Sequence, residues 1–379
     1  MTLREPPVRT HFAHVPPNWF ATVMGTGILA VAAHGLGSGA ALTVLSVVFW
    51  LLACLVYIGV IAATVMHWRR HRDAARAHLR HPMIAHFYGA VPMATLTVGT
   101  STLVAGVHVI GSTAALAVDI VCFTLGTLGG VATALLIPAR HLLGRAGDPA
   151  VPDGPKQNRP EPFGGWLMSV VPPMVSASAA AVLAEAFDEP GARRALLVIG
   201  LAAFVFSLVL AVPIVVSVVG SLVTRGPGPT GLAPTWWIVL GPLGQSVTAA
   251  CLLTHVATGV TGAVTAGVLG ALAYGYALTV WAAAVIWIVV ATLITVWSVR
   301  RGLPFGLTWW SFTFPLGTFV TGSSAVAATT GHTEFAVVAG IGFAALLLAW
   351  GIVAAGTVAG IVDGSLLIAP AKVRGTLGR

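Results

Sequence analysis

The chain has 379 residues, 57% hydrophobic and only 8% charged, with a formal net charge of +8 and a mean hydropathy of +0.93. Soluble domains carry about 25% charged residues, so a water-soluble globular fold is excluded and no separate soluble domain can be assembled. The three cysteines, Cys54, Cys122 and Cys251, sit in apolar runs at unrelated spacings and offer neither a disulfide framework nor a metal site.

Crossing a bilayer as a helix takes roughly 20 apolar residues. Hydropathy, with polar breaks as boundaries, predicts ten such helices at 17–35, 41–66, 82–107, 112–138, 163–185, 194–222, 232–256, 266–297, 306–329 and 335–361. Residues 1–16 form a polar tail with no sign of a removed signal peptide. Breaks after the first, third, seventh and ninth helices are short and rich in Gly, Ser and Thr, which marks tight hairpins. The longest connector, 139–162, contains Pro149, Pro152, Gly154, Pro155 and Pro160 and reads as a flexible linker; 362–379 is a C-terminal tail.

The odd-numbered helices share an outline. Trp19, His86, Trp166, Trp236 and Trp309 are spaced 67, 80, 70 and 73 residues apart, and six residues beyond each stand Gly25, Pro92, Pro172, Pro242 and Pro315. Seven further on, about two helical turns, are the small residues Ala32, Gly99, Ala179, Ala249 and Gly322. Such a period marks a repeated two-helix unit. Each proline releases the carbonyl four residues back, a defect tolerated at membrane depth where neighbours or water satisfy it. The even helices are mostly Leu, Val, Ala and Ile, as suits lipid-facing positions. The expected fold is an all-α integral membrane protein with ten transmembrane helices in five hairpins, quasi-five-fold, the odd helices lining a central pore.

Seventeen of the 19 Lys and Arg residues fall on one side of this topology; only Arg193 and Arg194 fall on the other. The positive-inside rule then makes both termini cytoplasmic, in a multi-pass plasma-membrane protein. Beyond the kinks the odd helices offer Thr26; Thr95, Thr97, Thr100 and Ser101; Ser176 and Ser178; Gln245, Ser246 and Thr248; and Thr318, Thr321 and Ser323. No charged residue lies in the central part of an odd helix. A pore of hydroxyls and backbone dipoles suits weak binding and conduction, and the basic side would concentrate anions; the same hydroxyls could instead bond their own i−4 carbonyls.

Three stretches carry a family resemblance: Trp19-Phe20-Ala21-Thr22-Val23-Met24-Gly25-Thr26-Gly27, Gly241-Pro242-Leu243-Gly244-Gln245-Ser246, and Trp309-Trp310-Ser311-Phe312-Thr313-Phe314-Pro315-Leu316-Gly317-Thr318. In this order they resemble the tellurite-resistance/dicarboxylate transporter family, also called the voltage-dependent anion channel family. The resemblance implies ten helices around a central pore, homotrimers with one pore per protomer, and transport of small inorganic anions or C4-dicarboxylates such as malate, sulfite or tellurite. It also implies a pore-blocking phenylalanine, whose matching position is Phe314. Its counterparts one residue before each kink are Met24, Val91, Val171 and Gly241, so one repeat alone brings a ring to that level. Phe312 and Phe319 are the alternative occluding rings. The long charged terminal domains of the plant members are missing here.

Asp119 in the fourth helix is a candidate for proton coupling, or a structural carboxyl near the outer interface. His34, His108, His255 and His332 fall near the outer helix ends and could ring a mouth that titrates near neutral pH, or be ordinary interfacial residues. The run from His67 to His81 has histidines at metal-ligand spacing, but interleaved arginines oppose a dication, and a headgroup-facing role fits better. An intramembrane enzyme built on His67, His71 and Asp119 lacks a nucleophile. No cofactor, metal or nucleic-acid partner is expected; the partners are small anions and the lipid bilayer.

Overall fold

The computed structural model describes residues 12–147 and 162–367. Among the described residues all regular structure is helical: α1 (Phe20–Gly35), α2 (Ala40–Arg70), α3 (Arg72–Arg80), α4 (Ala90–Ser101), α5 (Val107–Ile110), α6 (Ser112–Gly147), α7 (Pro172–Ala184), α8 (Pro190–Arg225), α9 (Leu240–Val260), α10 (Ala263–Val299), α11 (Phe314–Thr330) and α12 (Thr333–Val362). Seven stretches are long and apolar enough to cross a membrane: α2, α6, α8, α10, α12, Ile84–Ile110 and Thr230–Val260. The chain is a multi-pass membrane protein.

The expected ten spans differ from this in a way the prolines explain. α1, α7 and α11 have only 16, 13 and 17 residues. Each follows a 3-10 turn, at Pro17–Trp19, Gly164–Ser169 and Leu307–Phe312, and Ile84–Gly89 and Thr230–Val239 likewise precede α4 and α9. Pro172 and Pro315 open their α-helices, while Pro92 and Pro242 stand third in theirs. A proline is tolerated in the first turn, where its missing N–H has no partner to lose. The expected mid-helix kinks are therefore 3-10-to-α junctions. Gly25 is corrected further: it lies inside an uninterrupted α1, and a Cβ there would strike Thr313 Oγ1 and the Trp310 ring.

Hydropathy also cut the even helices short, because helix continues into polar flanks that score as breaks. α6 runs on to Gly147, so the linker expected at 139–162 is helical in its first part; residues 148–161, 1–11 and 368–379 of the expected linker and tails lie outside the described residues.

Burial divides the helices into two sets. In α2, α6, α8, α10 and α12 only 22–28% of the most apolar window is buried, against 67% and 78% in Ile84–Ile110 and Thr230–Val260. α7 buries all its residues but one. Each inner helix packs on the long helix that follows it, α1 on α2, α4 on α6, α7 on α8, α9 on α10 and α11 on α12. The inner helices also contact one another in a closed circuit, α1–α4–α7–α9–α11–α1.

Every link of that circuit has a glycine at its closest point. An added Cβ would meet Thr97 Cγ2 at 2.7 Å from Gly27 and Phe319 N at 2.6 Å from Gly244, and would overlap the Met168 carbonyl from Gly89 and the Thr235 carbonyl from Gly164. Gly25 closes the α1–α11 link as described. Lipid tails are as apolar as leucine, so helices in a bilayer associate through close packing and hydrogen bonds rather than the hydrophobic effect. The outer helices supply the bonds from single polar side chains on otherwise apolar faces. Ser46 Oγ donates to the Ala30 carbonyl (2.8 Å), Ser207 Oγ to Val170 (2.9 Å) and Trp287 Nε1 to Trp236 (2.9 Å). Trp50, Trp281 and Trp350 donate to Thr102, Ser323 and Thr26 hydroxyls at 2.9–3.0 Å.

Gly89→Ala is expected to cost more than ~2 kcal/mol of stability, since a backbone carbonyl cannot give way as a side chain can. Gly275→Ala, where nothing lies within 4 Å, should be neutral or stabilising by up to about 1 kcal/mol. Thermal unfolding of both variants in detergent checks the contrast.

Candidate transport path

The 3-10-to-α junctions of all five inner helices meet at one level and enclose a cavity of about 30 Å3, space for one or two waters. Met24 of α1, Phe87 and Met93 around the start of α4, Met168 and Val171 before α7, Gly241 and Pro242 of α9, and Phe314 and Pro315 of α11 line it. Ser311 supplies the one hydroxyl in an otherwise apolar wall. Among the aligned positions Met24, Val171, Gly241 and Phe314 all reach this level, and Phe314 is the one that brings a ring. The two alternative rings point elsewhere. Phe312 packs edge-on to Trp237 and Trp309, with centroids 5.8 and 5.6 Å away, and Phe319 stacks on Trp281 of α10 at 5.9 Å.

Toward the opposite end from the arginine-rich loops, α1, α7, α9 and α11, the π-turn and α5 that continue α4, and the start of α6 surround a vestibule of about 840 Å3. Its wall includes Val31 and His34, Leu103 and His108, Val182 and Glu185, Thr248 and His255, and Thr321 and Ser324. A five-residue π-turn, Thr102–Gly106, precedes α5; it offsets the helical register so that Leu103, Val104 and His108 all face the vestibule. Three of the four expected histidines are thus brought together. The fourth, His332, is exposed on the far side of α11, with Nδ1 3.8 Å from Glu334. Glu185 is matched by Arg193 at 3.0 Å.

The six polar residues singled out from the sequence as pore-lining are placed differently. Thr26 accepts from Trp350 and donates to the Thr22 carbonyl, in a side groove between α1, α2 and α12. Thr95 meets Tyr57 of α2 at 2.7 Å. Ser176 and Ser246 bond carbonyls of their own helices, Pro172 and Leu243. Gln245 Nε2 donates to Ser178, tying α9 to α7. Thr318 donates to Pro315 at 2.6 Å and also lies 3.4–3.5 Å from the Leu240 and Gly241 carbonyls of α9. None of the six lines the constriction or the vestibule. Within a bilayer a hydroxyl saves more by satisfying itself on nearby carbonyls than by facing an apolar neck. Of the wider set of hydroxyls, Thr248 and Thr321 do face the vestibule, sharing a 3.0 Å bond.

Asp119 is buried inside the protein. It is 1% exposed, wedged against Gly99 of α4, and its Oδ1 has no hydrogen-bond partner among the described residues.

Residues 14–358 match the family model described as voltage-dependent anion channel. The chain belongs to that family. Among curated proteins it is similar to an uncharacterized transporter of Methanocaldococcus jannaschii, 27% identical over 82% of this chain and 83% of that one. It is also similar to sulfite efflux pumps of Arthroderma otae, 24% identical, and Trichophyton rubrum, 23% identical, each over 81% of this chain and 80% of the other. These are transporters, and membrane transport of anions is the function class that the voltage-dependent anion channel family assigns.

The family match begins at His14, which belongs to a histidine cluster at the basic end. His78 of α3 stacks on His67 of α2 with centroids 5.2 Å apart and meets the His14 ring edge-on at 5.3 Å. His67 Nδ1 bonds the Phe12 carbonyl at 2.8 Å, and His67 Nε2 and His78 Nδ1 are buried without a partner among the described residues. Among those residues no group of His, Cys, Asp or Glu has the geometry to hold a metal. Burial, with His14, His67 and His81 nearby, holds His78 down at about 4, from 6.5. Between those values the unfolded chain binds the proton and the folded chain does not, so stability at this corner is lost as pH falls from about 6.5 toward 4. The unfolding temperature of the wild type should therefore drop more between pH 7 and pH 4.5 than that of His78→Gln; equal drops would contradict the assignment.

Proposed function

We propose that the chain passes small anions along the axis of the five inner helices, with Phe314 as the gate. The observation that carries this reading is convergence: each of the five inner helices, by its own residues or by the turn that flanks it, contributes both to the apolar constriction at Phe314 and to the vestibule beyond it. The ten-helix, five-hairpin, quasi-five-fold arrangement expected from the repeat is the architecture this reading uses, supported by the closed circuit of inner contacts. Anion preference comes without a charged residue. The helix is interrupted before Pro172 and Pro315, where α7 and α11 start anew, and a helix N-terminus carries roughly half a positive charge. The arginine-rich loops at the other mouth add an attractive field. In this reading that mouth and both termini are cytoplasmic in the plasma membrane, and three protomers, each with its own pore, assemble together.

Among substrates, sulfite and similar small oxyanions fit better than malate or other C4-dicarboxylates. Two of the relatives described above are named sulfite efflux pumps. Tellurite has the same chemistry of size and charge. Phe314 at this apolar neck would open it by a rotamer change, at a cost of order 1 kcal/mol.

One observation favours a second reading, proton-coupled transport: Asp119 keeps an unpartnered carboxylate oxygen against the pore helix α4. A single experiment separates the two readings. In proteoliposomes, Phe314→Ala should raise sulfite flux about tenfold, equivalent to ~1.4 kcal/mol of barrier, while Phe312→Ala leaves it unchanged. Unaltered flux in Phe314→Ala removes the gate. A flux that follows an imposed pH gradient and is lost in Asp119→Asn establishes coupling.

A further inference from the structure

The corner where α2 turns into α3 is built as a lipid site. Along α2, Leu51, Leu55, Ile58 and Val65 are 44–67% exposed; at spacings of four, three and seven residues they form one outward stripe, and Arg69 continues it one turn on. At His71 the backbone leaves helical geometry (φ −132°, ψ 51°), and α3 then brings Arg72 and Arg76 beside Arg69. Thr64, Val65, Trp68 and these three arginines enclose a hollow of about 450 Å3. Its floor is membrane-facing apolar surface and its rim is guanidinium, with an indole at the level where tryptophans mark the interface.

The charges there are not spent within the protein. Among the described residues Arg69 and Arg72 have no ion-pair partner, and Arg76 reaches Asp73 only at 4.0 Å with both side chains largely exposed, a contact worth little. α3 is nonetheless fixed in place. Its other face buries Ala75 and His78, with the His14 ring packed on His78. Arg72 and Arg76 therefore stand on a helix packed against the body of the protein, beside Arg69 at the end of α2.

We propose that this hollow binds the phosphate of an anionic glycerophospholipid, whose acyl chains lie along the Leu51–Val65 stripe. Guanidinium groups match phosphate oxygens in bidentate geometry. A soluble phosphate would use the rim but not the stripe, so a chain-bearing lipid is the occupant that both features fit. The proposal is independent of which anion the pore passes.

Native mass spectrometry of the purified full chain tests it, with phosphatidylglycerol, phosphatidylcholine and glycerol phosphate as probes. Phosphatidylglycerol should bind in preference to phosphatidylcholine. Arg69→Gln/Arg72→Gln/Arg76→Gln should lose that binding by on the order of tenfold or more. Arg300→Gln/Arg301→Gln, at the same end of the protein but in the turn after α10, should keep it; unfolding temperatures check that both variants remain folded. The site is overturned if the two variants lose binding equally, if glycerol phosphate competes as well as the lipid, or if the two lipids bind alike.

Discussion

The structure depends on how closely five helices can approach one another. Where Gly89 meets the Met168 carbonyl, or Gly164 that of Thr235, there is no room for a methyl group. In water such contacts would be a detail of a hydrophobic core. In a bilayer, where apolar burial gives no net drive between helices, backbone contact and a few hydrogen bonds are the main attraction. Closing the circuit at glycines leaves only a narrow axis, and what stands on that axis decides what can cross. The outer helices α2, α8, α10 and α12 then act as a retaining wall, pinning inner neighbours with polar side chains, as Ser207 pins the carbonyl of Val170 and Trp287 that of Trp236.

The same approach explains why the constriction is apolar while the inner helices are rich in hydroxyls. Ser176 and Thr318 are fully buried, committed to carbonyls of their own or the next helix. The junctions at Pro172 and Pro315 turn Val171 and Phe314 inward instead. A vestibule of about 840 Å3 thus stands beyond a constriction walled by methionine, proline and phenylalanine side chains. In the proposed path such a neck would resist ions until Phe314 moves, and it would select by size and ease of dehydration rather than by a fixed countercharge.

Much of this was legible in the residues. The membrane class follows from composition, and the repeated six-residue spacing from Trp or His to Pro or Gly marked five stretches and put Phe314 at a level it shares with Met24, Val171 and Gly241. The facing of individual hydroxyls was not legible, for a physical reason. An amphipathic helix shows its buried side by its pattern, whereas α7 is buried on nearly every side, so its sequence holds no stripe from which to read direction. Gly25 was misread as a kink because glycine serves both flexibility and close approach, and its contact, Thr313, is nearly 300 positions away in sequence. The helix α3 was missed because the search followed hydropathy, although Arg72, Arg76 and Arg80 opposite Ala75 and His78 show a helical period.

The central claim, that one axis through the five inner helices carries the ion, is tested most directly by scanning single cysteines in a chain lacking Cys54, Cys122 and Cys251. A charged thiol reagent should block sulfite flux when cysteine replaces Met24, Met93, Val171, Gly241 or Phe314, one position from each inner helix, and should leave flux unchanged at Thr26 and Thr95, which face the outer helices. Block at Thr26 and Thr95 with none at the five axial positions would contradict the account and move the path to the side groove between α1, α2 and α12.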